Sequence, residues 1–281
     1  MLIFEQISSL QECLNNCRED GLSIALVPTM GGLHEGHLKL IDKAKEYSDM
    51  VVVSVFVNPT QFAENEDFDA YPKNLSKDKK LLKEAKVEVM FVPSDNEIYP
   101  DDISQDYDVG EMGKILCGIS RPMHFNGVAQ VVSTLFEIIE PDYAVFGEKD
   151  YQQLLIINSL VERQGIKTTI VSVPTVRESD GLAMSTRNNY LSSEDRANAP
   201  LLYQQLVDTK ALIQNGTDIS SATEQALNAL STIFDVEYIE VLNANNLTQI
   251  TTSSSEIIII SAVRLGETRL IDNIVFRRLD V

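Results

Sequence analysis

Two histidines three residues apart, His34 and His37, stand just beyond the pair Gly31 and Gly32 in the stretch PTMGGLHEGHLKLI, Pro28 to Ile41. On a helical turn residues three apart are neighbours, so both imidazoles can face one anion. The glycines let the backbone come close to a ligand, and a helix starting after them offers unpaired amides and a positive dipole to a phosphate. Zinc is disfavoured, because the metalloprotease helix spaces its histidines four apart with a glutamate beside the first.

Three further segments carry side chains suited to the same task. NPTQF, Asn58 to Phe62, supplies Gln61, whose amide can donate to and accept from a hydroxyl or a carboxylate. FGEKDYQQLL, Phe146 to Leu155, puts Gly147 at a bend and Lys149 as a point charge for phosphate oxygens, with Asp150 as an acceptor for a ribose hydroxyl. Gln153 follows one helical turn later. VRESDGLAMSTRNNYLS, Val176 to Ser192, offers Ser185, Thr186 and Arg187, hydroxyls and a guanidinium able to clamp a triphosphate and follow charge onto a leaving pyrophosphate. Gly181 is the expected hinge of that polar loop. Taken singly, these segments read as a strand-ending turn, a solvated helix start and an interdomain linker.

The elements that must position them follow from periodicity. Apolar runs at Leu22 to Val27 and Met50 to Val57 read as strands buried on two faces, with an amphipathic helix over Glu35 to Tyr47 between them. The alternation continues through a helix at about Lys73 to Lys86, a strand at Val87 to Val92 and a helix near Val128 to Ile139. A strand at Asp142 to Gly147, a helix near Tyr151 to Arg163 and a strand at Thr168 to Val173 complete it. This predicts an α/β fold, a Rossmann-like doubly wound parallel sheet, with the four segments gathered at the carboxyl ends of its strands. After Pro174 the texture changes. Amphipathic segments at Ser193 to Gln214 and Asp218 to Phe234 precede strands at Val236 to Leu242, Ile257 to Val263 and about Asn273 to Arg277. The expected organisation is a first domain over 1–174 and a smaller α+β domain over 175–281.

The net charge of −19 repels phosphate backbones and anionic lipid alike, so nucleic acid and membrane partners are not expected. It also means that an anionic substrate must be met by local cations or helix N-termini. Cys13, Cys17 and Cys117 lack zinc-ligand spacing and read as free thiols in a reducing compartment. The N-terminal stretch has no basic segment followed by an apolar run, and no stretch approaches a membrane span, so the expected location is the cytoplasm.

Taken together, PTMGGLHEGH, VFVNPTQF, FGEKDYQQL and DGLAMSTRNNYL resemble the pantothenate synthetase family of the nucleotidylyl-transferase superfamily, and the likeness runs from Met1 to the final strand. AMSTR is also similar to the mobile Met-Ser loop of class I aminoacyl-tRNA synthetases. The resemblance implies a ligase that turns pantoate and ATP into pantoyl adenylate and pyrophosphate, then lets β-alanine release pantothenate and AMP. On this chain it implies an ATP site from Met30, Gly31, Gly32, Leu33, His34, Glu35, Gly36 and His37, from Gly147, Glu148, Lys149 and Asp150, and from Val176, Met184, Ser185, Thr186 and Arg187. As the catalytic set, His34 and His37 would hold the phosphates, with His37 as proton donor or charge stabiliser, and Lys149, Ser185 and Arg187 would stabilise the transferring phosphoryl group. Gly147, Asp150 and the backbone at Val176 would seat the nucleoside, and Gln61 and Gln153 would grip pantoate, with Gln61 also near β-alanine. Magnesium would arrive on the phosphates of ATP, and the assembly would be a homodimer. The family's Arg-Pro-Gly-His-Phe is here RPMHF, with Met123 in the glycine place beside Arg121 and His124.

Two other readings compete. A nucleotidylyltransferase would share the histidine helix but join the nucleotide to a phosphorylated acceptor, where cations rather than the neutral amides of Gln61 and Gln153 are needed. A nucleotide-sensing module would keep the fold without the chemistry.

Overall fold

The computed structural model describes residues 1–64, 66–100, 107–252 and 254–277. The chain forms two compact units, one made of Met1–Glu148 and Ile156–Pro174, the other of Lys149–Leu155 and Thr175–Val281.

The first unit opens with β1 (Leu2–Phe4), α1 (Ile7–Glu19), β2 (Ile24–Thr29), α2 (Glu35–Tyr47) and β3 (Met50–Val55). It continues through α3 (Leu75–Glu84), β4 (Val89–Phe91), the short α4 (Asp95–Ile98) and α5 (Cys117–Ser120), α6 (His124–Ile139) and β5 (Tyr143–Gly147). The helix α7 (Tyr151–Gln164) leads to β6 (Thr169–Val173). The six strands form one sheet in the order β1-β4-β3-β2-β5-β6, with every pairing parallel. A parallel sheet needs cover on both faces, which is why Ile24 to Val27 and Val51 to Val53 are buried without alternation. One face packs Ala25, Val27, Val51, Val53 and Val145 against Ile41 and Ala44 of α2 and Leu82 of α3.

The expected α/β architecture is present, with local differences. β1 and α1 carry no strong sequence signal: β1 is a three-residue edge strand, and Gln6 at the start of α1 provides no side-chain cap. The helix expected from Val128 begins at His124, so Gly127 lies inside it.

In the second unit, the short α8 (Ser193–Asn198) precedes α9 (Leu201–Gln214) and α10 (Ile219–Leu230), which pack on an antiparallel sheet of β7 (Asp235–Asn243), β8 (Glu256–Leu265) and β9 (Thr268–Arg277). Leu202, Leu206, Ala226 and Leu230 meet Ile239, Val241, Ile257 and Ile259 in its core. The amphipathic run expected over 193–214 is two helices, because Pro200 lacks the N–H that would continue the first. β9 begins at Thr268, five residues earlier than its apolar pattern suggests, directly after the tight turn at Gly266. The buried Asp272 hides the strand from an apolar reading. Among the described residues no helix is long and apolar enough to cross a membrane.

Candidate active site

β2 is the strand where the order of the sheet reverses, with β3 and β4 on one side and β5 and β6 on the other. Ligands of open parallel sheets bind outside the carboxyl ends at such a switch point. Because β2, β3 and β5 run parallel, the segments after Thr29, Val55 and Gly147 leave the sheet at the same edge.

His34 is the N-cap of α2 and has extended backbone. Its Nδ1 accepts from Gly36 N at 3.1 Å, and His37 Nδ1 accepts from His34 N at 3.2 Å. The rings lie 4.1 Å apart between centroids. The two imidazoles thus form a reciprocal cap, the role that Ser and Glu play in an ordinary capping box. A backbone N–H only donates, so each Nδ1 must be the bare nitrogen, and the hydrogen of each neutral ring sits on Nε2. The N–H of each neutral ring therefore lies on the side away from the cap.

Gly31 and Gly32 take φ of 81° and 64°, a region glycine enters without penalty. Their amides are engaged within the unit. Gly31 N donates to Thr29 Oγ1 at 3.2 Å, Gly32 N to Asp78 Oδ2 at 3.0 Å and Leu33 N to Asp78 Oδ1 at 2.8 Å. Asp78, in the first turn of α3, is 1% exposed. A carboxylate so buried needs donors, and here the loop supplies them. Asp78 is not among the residues expected from the sequence, yet it leaves a signal there: it shares a helix face with Leu82, an acid where an apolar residue is due. Asp78→Asn should destabilise the protein by about 1–3 kcal/mol, since one buried amide then faces an NH2 group. Denaturant unfolding measures this, and a free energy equal to that of the wild type would remove the clamp from the account.

Gln61 ends a turn of 3-10 helix, Pro59–Gln61, capped by the buried Asn58. Gln61 Nε2 rests on Met30 Sδ at 2.7 Å, a weak acceptor that a carboxylate or hydroxyl can displace. Asn58 Nδ2 donates to Gly127 O on α6 at 3.0 Å, and Tyr99 Oη donates to Asn58 Oδ1 at 2.7 Å. Burial raises the Tyr99 phenol to about 12, so it stays a donor at neutral pH. The Gln61 carbonyl accepts from Arg121 Nη2 at 3.2 Å and from His124 Nδ1 at 2.9 Å. Arg121 also pairs with Glu66 through Nε and Nη2, both at 2.5 Å. Burial pushes the Glu66 carboxyl up, but the Arg121 hydrogen bonds and charge outweigh it and hold the group below its ordinary value. Arg121 and His124 thus set the backbone of the Gln61 turn. Met123, between them and 66% exposed, has φ −97°, which requires no glycine.

Gly147 closes β5, and a Cβ there would meet nothing nearer than Leu40 Cδ2 at 3.9 Å. A side chain at this position would make only ordinary contact with Leu40, so the chain's own packing does not require glycine here. Glu148 Oε1 accepts from Ser172 Oγ at 2.7 Å.

The remaining predicted residues lie in the second unit. Lys149 sits 3.8 Å from Asp150, and its carbonyl accepts from Asn273 Nδ2 at 3.1 Å. Gln153 follows on α7. Val176 to Met184 is a hairpin rather than a loose linker. Met184 N donates to Val176 O, Glu178 N to Leu182 O, and Arg177 bridges Ala183. Gly181, the expected hinge, lies in its turn, at φ 96°. Ser185 Oγ caps the 3-10 segment Thr186–Tyr190 by accepting from Arg187 N at 3.3 Å, a bond that does not consume its own hydroxyl hydrogen. In the first unit, therefore, His34 meets His37 and Gln61 meets Met30, and the second unit brings Lys149 and the hairpin before Ser185 onto one strand, β9.

The profile of the family described as Pantoate-beta-alanine ligase matches residues 2–275. A pantothenate synthetase of Ruthia magnifica subsp. Calyptogena magnifica is 48% identical over 278 residues, covering 99% of this chain and 100% of that protein. One from Shewanella woodyi is 43% identical, covering 99% and 100%. Among solved structures, the pantothenate synthetase of Thermus thermophilus matches with a TM-score of 0.92 at 39% identity, covering 98% of this chain and 99% of that one. The pantoate-beta-alanine ligase of Francisella tularensis, complexed with beta-gamma ATP and beta-alanine, matches with a TM-score of 0.81 at 36% identity, covering 99% and 98%.

Proposed function

The chain belongs to the pantoate-beta-alanine ligase family, and from that premise we propose how its residues divide the reaction. The protein is an ATP-dependent ligase that condenses pantoate with β-alanine through a pantoyl adenylate. A pantoate carboxylate oxygen attacks the α-phosphorus of ATP, and the bond to the β-phosphate breaks to release pyrophosphate. The β-alanine nitrogen then attacks the acyl carbon, the acyl–oxygen bond breaks, and AMP leaves as the amine loses a proton.

The reading rests on the reciprocal cap of His34 and His37, which leaves each ring with its hydrogen on Nε2. Two neutral donors fixed to a helix N-terminus stabilise the charge that builds on the phosphate without reorganising. His37, inside the helix, is the catalytic donor, and His34 holds the phosphate beside it. In the second unit the Lys149 ammonium, the Ser185 hydroxyl and the Arg187 guanidinium take the charge of the departing pyrophosphate. The stretch from Met30 to His37, with Gly147, Glu148, Asp150, Val176, Met184 and Thr186, lines the nucleotide.

Gln61 and Gln153 receive pantoate, whose hydroxyls and single carboxylate suit neutral amides, and the weak Met30 contact leaves Gln61 ready to exchange partners. Magnesium enters with ATP. Among the described residues no three His, Cys, Asp or Glu are grouped to hold a metal ion, and a cation that keeps its water shell needs only phosphate oxygens. Residues 1–174 serve nucleotide and pantoate, and 175–281 contribute the Met-Ser-Thr-Arg segment. A homodimer in the cytoplasm completes the proposal, supported by the family likeness.

A coupled assay of AMP release tests it. Release is expected only when ATP, pantoate and β-alanine are all present, with pyrophosphate exchange into ATP requiring pantoate alone. AMP release that ignores pantoate would sink the reading, and activity with a phosphorylated acceptor instead would point to a nucleotidylyltransferase.

A further inference from the structure

Asp272 lies 2% exposed in β9, at a strand position where an apolar side chain is expected. A buried carboxylate is tolerated only with strong partners, and here they come from Arg177. Arg177 Nη1 donates to Asp272 Oδ2 at 2.6 Å and Nη2 to Oδ1 at 2.9 Å. The same guanidinium donates to Gly181 O at 3.1 Å and Asn273 O at 3.2 Å, and stacks 3.5 Å from the centre of the Tyr203 ring. A guanidinium committed to these acceptors does not serve as a hand for phosphate. It bolts the Val176–Met184 hairpin, and with it the start of Ser185 to Arg187, onto β9.

The next residue of the strand faces another target. Asn273 Nδ2 donates to the Lys149 carbonyl at 3.1 Å, while Asn273 N donates to Asp272 Oδ1 at 2.8 Å. The Lys149 charge also acts on Asp272. Two adjacent residues of one strand therefore tie down the two segments that carry the proposed pyrophosphate contacts.

We propose that Asn273 is a positioning residue for adenylate formation: it fixes the Lys149 backbone to the same strand that Arg177 and Asp272 use to anchor the hairpin. This rests on the phosphate role given to Lys149 above. Moving a charged group by about 1 Å from its working position can cost about a hundredfold in rate.

The test is a double-mutant cycle of Asn273→Ala and Lys149→Ala in the full-length enzyme, read by pantoate-dependent exchange of pyrophosphate into ATP. Aminolysis of preformed pantoyl adenylate by β-alanine is the second readout. Asn273→Ala should lower the exchange rate about a hundredfold. It should leave aminolysis unchanged and add nothing on the Lys149→Ala background. Additive losses, an equal loss in aminolysis, or wild-type exchange in Asn273→Ala would each overturn the proposal. If Asn273→Ala does not fold, Asn273→Asp, which keeps the shape but loses the donor, enters the same cycle. Undiminished exchange in Lys149→Ala would remove the phosphate role of Lys149 and this proposal with it. An inactive Lys149→Ala beside a normal Asn273→Ala would remove the positioning role alone.

Discussion

His37→Ala should slow adenylate formation by about 10²–10³, the usual cost of deleting one preorganised donor to a developing charge. The same substitution removes the acceptor for His34 N, so the α2 cap weakens and stability falls by about 1 kcal/mol. The two losses can be separated. A glutamine at the third helical position can accept from the N-cap amide, as in an ordinary capping box. His37→Gln should therefore recover the melting temperature while leaving pantoate-dependent pyrophosphate exchange as slow as in His37→Ala. If His37→Gln restored exchange as well, the imidazole would be a structural cap, and the catalytic assignment would go elsewhere.

Gly127→Ala is expected to be the most damaging glycine substitution near the site. A Cβ at Gly127 would overlap the Thr60 carbonyl and lie 2.7 Å from Gln61 N. These are backbone atoms of the turn that carries Gln61, and the Gly127 carbonyl is also bonded to Asn58 Nδ2. They cannot yield as the end of a flexible side chain would. Overpacking of this kind costs about 1–3 kcal/mol, and the shift it forces should raise KM for pantoate by about tenfold or more, since misplacing a positioning group by about 1 Å can cost about a hundredfold. The effect on KM for ATP should be smaller. Gly147→Ala provides the contrast, because its Cβ meets only Leu40 Cδ2 at 3.9 Å and the fold should accept it. Steady-state kinetics with each substrate varied, alongside thermal melts, decide the matter. Unchanged pantoate KM in a folded Gly127→Ala protein would show that the contact with α6 does not set Gln61.

Much of this arrangement was legible in the residues alone. The apolar runs of β2 and β3 and the stripe of α2 identify strand, helix and strand, because periodicity is a local property of the chain. The boundaries Glu35 and Tyr47 of α2 agree with the pattern, since polar residues alternate with its apolar stripe. The edge strand β1 escaped because three residues carry no period. The apolar pattern of β9 covers only its later part, because its inward-facing Asp272 looks like a turn residue until its partner is known.

By itself the sequence determined the types and local spacing: two histidines on one helical turn, glycines before them, and an amide, a lysine and a Ser-Thr-Arg run at three other strand or loop ends. Tertiary structure decided what those groups do with their lone pairs and hydrogens. Asp78 reaches Gly32 across 46 positions, Asn58 reaches Gly127 across 69, Arg177 reaches Asp272 across 95, and Asn273 reaches Lys149 across 124. Local periodicity extends over a few turns and holds no record of such separations. Whether an amide is spent, a guanidinium is committed or a glycine is indispensable is therefore settled only when the chain closes on itself.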